Sequence, residues 1–204
     1  FDTIAEALTL GTGALAVDGV LVVGEHGDYP QSALGAKMYP RMLMMAEVYR
    51  VFDRAGRAVP VFCDKHLSYH WLGAKWVHDR AKALNVPLMG GSSLPYTYRD
   101  PWLEHPRDAN IEESVVLTYA SPDAYGVHGY EMMACMIERR AGGETGVASV
   151  RVVEGDDFYA AAKAGEFSMA LVEAAAATVG DRKKPGRMKQ HARRPVAILV
   201  RFRD

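Results

Sequence analysis

The sequence predicts an α/β protein: a partial Rossmann-like parallel sheet with helices on its faces, followed by an α+β portion. Three observations predict it. Val17 to Gly24, Ala58 to Cys63 and Val86 to Met89 are short apolar runs bounded by turn residues. Segments with helical periodicity separate them. The spacing is that of consecutive βαβ units, which run as right-handed crossovers in a parallel sheet.

Taken in order, Asp2 to Leu10 opens with capping residues followed by Ile4, Ala7, Leu8 and Leu10 in a helical pattern. Val17 to Gly24 (VDGVLVVG) is continuous and β-branched, which predicts a strand buried on both faces. Tyr39 to Ala55 reads as a long helix with Pro40 in its first turn. Ala58 to Cys63 is the second strand, Trp71 to Leu84 the next helix, and Val86 to Met89 the third strand, ending in Gly90-Gly91-Ser92-Ser93.

Beyond residue 95 the pattern changes, so a Rossmann-like half-domain over 1–95 and an α+β portion over 96–204 packed on it are expected. Ser114 to Tyr119 reads as a strand. Ala124 to Arg140 reads as a helix with Met132, Met133, Met136 and Ile137 on one face. Val147 to Val153 alternates like a half-exposed strand, Phe167 to Val179 is an alanine-rich helix, and Pro195 to Phe202 is a final strand. No internal repeat is present.

The chain has 204 residues, 49% of them hydrophobic, enough for one good-sized core or a domain with an appended piece. A formal net charge of -1 argues against nucleic acid or an anionic membrane as partner. The local basic stretch Arg182-Lys183-Lys184 to Arg193-Arg194 lies among Gly and Pro and reads as a solvated loop. Cys63 and Cys135 sit far apart in apolar runs, which fits a reducing compartment, and a cytoplasmic location is expected. No run approaches the length of a membrane span. Phe1 is an unusual first residue, and the chain reads as an interior segment of something longer.

Ligands of open parallel sheets bind beyond the carboxyl ends of the strands. The informative loops are therefore Glu25-His26-Gly27-Asp28-Tyr29, Asp64-Lys65-His66 and Gly91-Ser92-Ser93. Glu25, His26, Asp64 and His66, joined by His128, form a candidate ligand set for a divalent metal, Zn or Mn by preference, that would activate water. Lys65 and His66 are candidate acid–base groups, and Lys65 would stabilise negative charge on a substrate. His128 and Glu131 stand at i, i+3 on one helical face. His70, His78, His105 and His191 read as structural or surface residues. Met42-Leu43-Met44-Met45 and Met132-Met133 read as core filler.

Gly11-Thr12-Gly13-Ala14-Leu15-Ala16 carries the letters of a dinucleotide fingerprint but follows a helix and precedes a strand. The mechanism needs the reverse context, so a helix-ending turn is expected there. No P-loop, nucleophile elbow or CxxC pair occurs.

Four strings, VDGVLVVGEHGDYP, GRAVPVFCDKHLS, NVPLMGGSSLPYTYR and YGVHGYE with ETGVASVRV, resemble the glucose–fructose oxidoreductase / inositol dehydrogenase family. More closely, they resemble a bacterial branch of it carrying GEHGDYP and DKHLS. The likeness spans nearly the full length, and it implies Lys65 and His128 as catalytic-type positions. The chain departs from that pattern at Ala124, where the family keeps an acid, and at His66, where it keeps a proline. It also lacks the N-terminal unit with the glycine fingerprint.

Three functions follow as expectations. The first is a divalent-metal-dependent hydrolase, of ester or phosphoester type, or a lyase on a small molecule. The second is an NAD(P)-dependent sugar or polyol oxidoreductase, or a fragment of one. The third is a non-catalytic binding or assembly module. Open sheet edges and an uncovered apolar face also predict a homo-oligomer.

Overall fold

The computed structural model describes residues 1–24, 27–119, 121–178, 192 and 194–203. The chain divides into two compact units, Phe1–Leu94 and Pro95–Asp204. Of the basic stretch Arg182 to Arg194, residues 182–191 and 193 lie outside the described residues, and Arg194 pairs with Glu154 at 2.8 Å; the predicted strand-end residues Glu25 and His26 lie outside them too, as does His191.

The first unit begins with α1, Ile4–Thr9, closed by a capping box in which Thr3 and Glu6 satisfy each other's backbone N–H groups. Its end is the expected glycine turn: Leu10 and Gly11 are left-handed, and Gly11 N–H donates to Glu6 O at 3.1 Å. Three strands follow, β1 (Val20–Val22), β2 (Val61–Asp64) and β3 (Leu88–Gly91), all parallel and in the order β1-β2-β3. The register pairs Leu21 with Phe62 and Phe62 with Met89 across the sheet. Helix α2, Arg41–Ala55, connects β1 to β2, and α3, Trp71–Ala83, connects β2 to β3. His70 caps α3, its Nδ1 accepting from Gly73 N–H at 2.9 Å, which confirms its structural reading.

The core lies between one sheet face and the helices. Val20, Val22, Val61 and Cys63 face Met45, Val48, Tyr49 and Phe52 of α2 and Val77 and Ala81 of α3. Two expectations are corrected here. Helices cover one face of the sheet, and β1 is buried on that face alone: Leu21 and Met89 on the other are 76% and 58% exposed. An unbroken apolar run reports that both faces are apolar, but whether the second is covered depends on elements that the run does not encode.

The second unit holds α4 (Pro122–Ile137), β4 (Val147–Glu154), α5 (Asp156–Lys163), α6 (Met169–Ala177) and β5 (Val196–Phe202). β4 and β5 form a two-stranded antiparallel sheet. Val153, Phe158, Ala161 and Val172 make its small core. The expected strand Ser114 to Tyr119 is corrected: the segment is irregular and joins neither sheet. It passes so close to α4 that a Cβ at Gly129 would fall 2.6 Å from Thr118 Cγ2, so a side chain there would force Thr118 to move. The methionine reading holds for Met45, which is fully buried, and fails for Met132, which is 37% exposed. Among the described residues, no helix is long and apolar enough to cross a membrane.

Candidate functional site

Parallel neighbours end at the same edge, so β1, β2 and β3 deliver their following loops to one rim of the first unit. The central strand supplies the most polar ending. Asp64 is its last residue and lies in register with Gly91 of β3. Lys65 N–H still donates to Gly91 O at 2.8 Å, one residue beyond the strand. The chain then turns sharply, and Lys65 takes φ 65°, a left-handed conformation. For a residue with a side chain this costs about 1–2 kcal/mol. Such strain persists where the surroundings hold it, and it clusters at functional sites.

The turn sets the side chains of Asp64 and Lys65 together. Lys65 Nζ is 3.4 Å from Asp64 Oδ2, with the two side chains 23% and 15% exposed. His66 follows, and its neighbours come from the connection after β1. Arg41 Nη1 lies 3.3 Å from His66 Nε2. The Tyr39 ring meets His66 edge-on at 5.8 Å, and the Arg41 guanidinium stacks on that ring at 4.8 Å. Tyr29 and the Lys37 ammonium approach the same ring at 5.5 and 5.9 Å. Tyr39 is thus a hub that orients one imidazole and one guanidinium.

Cys63 lies under this cluster with 0% exposure. Burial pushes its thiol up, the Arg41 charge pulls it partly back, and Asp64 adds a smaller upward push. At the β3 end, Ser92 is buried, and its Oγ accepts from Leu94 N–H at 3.1 Å to brace the turn.

Of the predicted site residues, Asp64 and Lys65 are joined by an ion pair, and the adjacent His66 meets Arg41 and Tyr39. Glu25 and His26 lie outside the described residues. His128 belongs to the second unit, in the second turn of α4, with its ring 6.0 Å from Tyr125. Glu131, one turn on, has its carboxyl raised above the ordinary range, mainly by burial and also by Glu138. Among the described residues, no three of His, Cys, Asp and Glu are grouped as a metal site.

Sequence reasoning passed over Tyr39 and Arg41. A signal for Arg41 was present: it occupies the first turn of α2, where the helix dipole disfavours a cation, and that turn contains no acid. A positive residue at such a place has a partner elsewhere in the fold.

Compared with protein-family models, curated proteins and solved structures, the chain matches none.

Proposed function

We propose that the carboxyl edge of the three-stranded sheet is a small-molecule active site of hydrolase or lyase type. The observation that carries this reading is Lys65, held in a left-handed conformation at the end of the central strand and bonded through its backbone to Gly91 O. That arrangement sets an ammonium and a carboxylate side by side at a rim where ligands of parallel sheets bind. Asp64 serves as proton acceptor, and Lys65 offsets the negative charge that develops on the substrate.

A divalent metal, Zn or Mn, is the second reading, favoured by the pair of donors Asp64 and His66 flanking Lys65. Their neighbours oppose it. Asp64 already faces an ammonium, and His66 Nε2 faces a guanidinium, so a dication would meet two positive groups within 4 Å of its ligands. The described donors of this rim, Asp64 and His66, therefore do not fit a metal by themselves. The parallel β1-β2-β3 sheet with its connecting helices supports the third reading, an NAD(P)-dependent sugar or polyol oxidoreductase or a fragment of one.

One set of assays separates them. The full chain is offered carboxyl esters and phosphomonoesters with and without a chelator, and NAD(P) is titrated against tryptophan fluorescence. Turnover that survives chelation and falls at least ~100-fold in Lys65→Ala and Asp64→Asn is expected. Loss on chelation alone returns the metal reading, and saturable NAD(P) binding returns the oxidoreductase. Silence in every arm leaves a non-catalytic module.

The same reading includes a homo-oligomer, supported by the apolar row Leu21, Phe62 and Met89 on the uncovered sheet face. Light scattering at micromolar concentration is expected to exceed the mass of one chain, and a clean monomer would reject it.

A further inference from the structure

Among the described residues, Leu10, Lys65, Asn85 and Asp108 are the non-glycine positions of positive φ. Leu10 closes α1, and asparagine and aspartate tolerate the left-handed region through local hydrogen bonds. Lys65 has neither reason. It follows directly on β2 at φ 65°, where an extended backbone would continue the strand. Such a conformation persists when the structure on both sides of it opposes relaxation. On one side, Lys65 N–H is bonded to Gly91 O at 2.8 Å. On the other side stands His66.

His66 is held by a rigid anchor. Arg41, whose Nη1 lies 3.3 Å from His66 Nε2, is 1% exposed in the first turn of α2. The Tyr39 ring meets the imidazole edge-on at 5.8 Å and the Arg41 guanidinium at 4.8 Å, so the three groups close a triangle. Pro40 joins Tyr39 to Arg41; its ring holds φ at -80° and restricts the residue before it. Pro40 O also accepts from Met44 N–H at 3.0 Å, which ties the anchor into the helix. Two residues beyond His66 the chain is buried again at Ser68.

We propose that Tyr39 is a positioning residue for Lys65: together with Arg41 it clamps His66, and the clamp holds the adjacent Lys65 backbone in its left-handed turn. The inference rests on the carboxyl edge being an active site, and it extends that site to the connection between β1 and α2. The clamp acts through the backbone. With His66 fixed, the peptide between residues 65 and 66 cannot rotate to the extended form without breaking the contacts of the imidazole. The direction in which the Lys65 side chain leaves the strand end is thus set before a substrate arrives.

Amide hydrogen exchange reads the turn without turnover. Lys65 N–H, bonded to Gly91 O, reports the turn, and Val61 N–H, bonded to Pro87 O at 3.0 Å, reports the same strand away from it. In the full chain, Tyr39→Leu is expected to lower protection of the Lys65 amide at least ~10-fold, the order of the left-handed cost released, and to leave Val61 unchanged. Tyr39→Phe, which keeps the ring, is expected to keep the protection. Lys65→Gly supplies the discriminating background. Glycine takes φ 65° without that cost, so Tyr39→Leu should there change protection at residue 65 less than ~3-fold. His66→Ala removes the other end of the clamp and gives the same pattern should Tyr39→Leu not fold. Lys65 protection equal to that of the parent in Tyr39→Leu or in His66→Ala overturns the proposal. So does an equal loss at Val61, which marks general destabilisation, or an undiminished loss in the Lys65→Gly background. Exchange decides the clamp whatever the turnover assays give, and a clamp found in a chain without turnover rejects the catalytic reading alone.

Discussion

Phe52→Ala is expected to lower the unfolding free energy of the first unit by about 3–5 kcal/mol, the range for deleting a fully buried aromatic side chain. Phe52 is 1% exposed and lies on the face of α2 that carries Met45, Val48 and Tyr49 against β1 and β2. Truncation removes a ring from between sheet and helix, and backbone elements on both sides limit how far the cavity can collapse. Against a typical domain stability of about 5–15 kcal/mol, the loss is a large fraction. Urea unfolding followed by tryptophan fluorescence measures it. In a Trp102→Phe background, the remaining tryptophans, Trp71 and Trp76, both report on the first unit. Leu34→Ala is the control: Leu34 is 97% exposed, and its loss should stay within about 0.5 kcal/mol. A loss below about 1 kcal/mol for Phe52→Ala would mean that the inner face of α2 is not where the stability of this unit resides.

Local pattern made much of this architecture legible. The glycine turn after α1, the three apolar runs and the helices between them follow from periodicity, capping and turn residues. Their boundaries moved by up to three residues, because a strand ends where its ladder ends. Ser114 to Tyr119 shows the limit from one side: it has strand composition, but among the described residues no neighbour forms a ladder with it. Asp156–Lys163 shows it from the other, since α5 went unpredicted despite two acids in its first turn and a lysine in its last. Leu21 was expected inside and lies outside, because covering a sheet's second face is a tertiary event. At the site, Asp64, Lys65 and His66 were legible because topology sends strand ends to one rim. Tyr39 and Arg41 were harder, as they act across 25 or more residues of sequence, through ring stacking and a single hydrogen bond.

The strand that carries the site also sets how the unit should respond to alkali. Tyr49 OH donates to Val77 O at 3.1 Å inside the core, and burial pushes its phenol well above the ordinary range, with Cys63 adding to the rise. The Cys63 thiol is raised mainly by burial as well. Both groups are thus held neutral in the fold, while in the unfolded chain they ionise near about 8.5 for cysteine and about 10 for tyrosine. Below those values the unfolded chain gains nothing from ionisation, and the stabilisation is fully present. As pH rises beyond them, the unfolded chain releases protons that the folded chain retains, so stability falls. The slope reaches about 1.4 kcal/mol per pH unit for each group once its unfolded form is ionised. Urea midpoints at pH 7, 9, 10 and 11 are expected to fall first with Cys63 and then more steeply with Tyr49. Tyr49→Phe should cost about 1 kcal/mol at pH 7 through the lost hydrogen bond, yet flatten the decline above pH 10. Cys63→Ala should flatten the part between pH 9 and 10. Parallel pH curves for wild type and both variants would show that neither group is held neutral. Because Cys63 directly precedes Asp64 on β2, loss of this packing removes the support of Lys65. Binding or turnover lost in alkali should therefore follow the unfolding curve and be partly recovered in Cys63→Ala, which a simple titration of Lys65 would not produce.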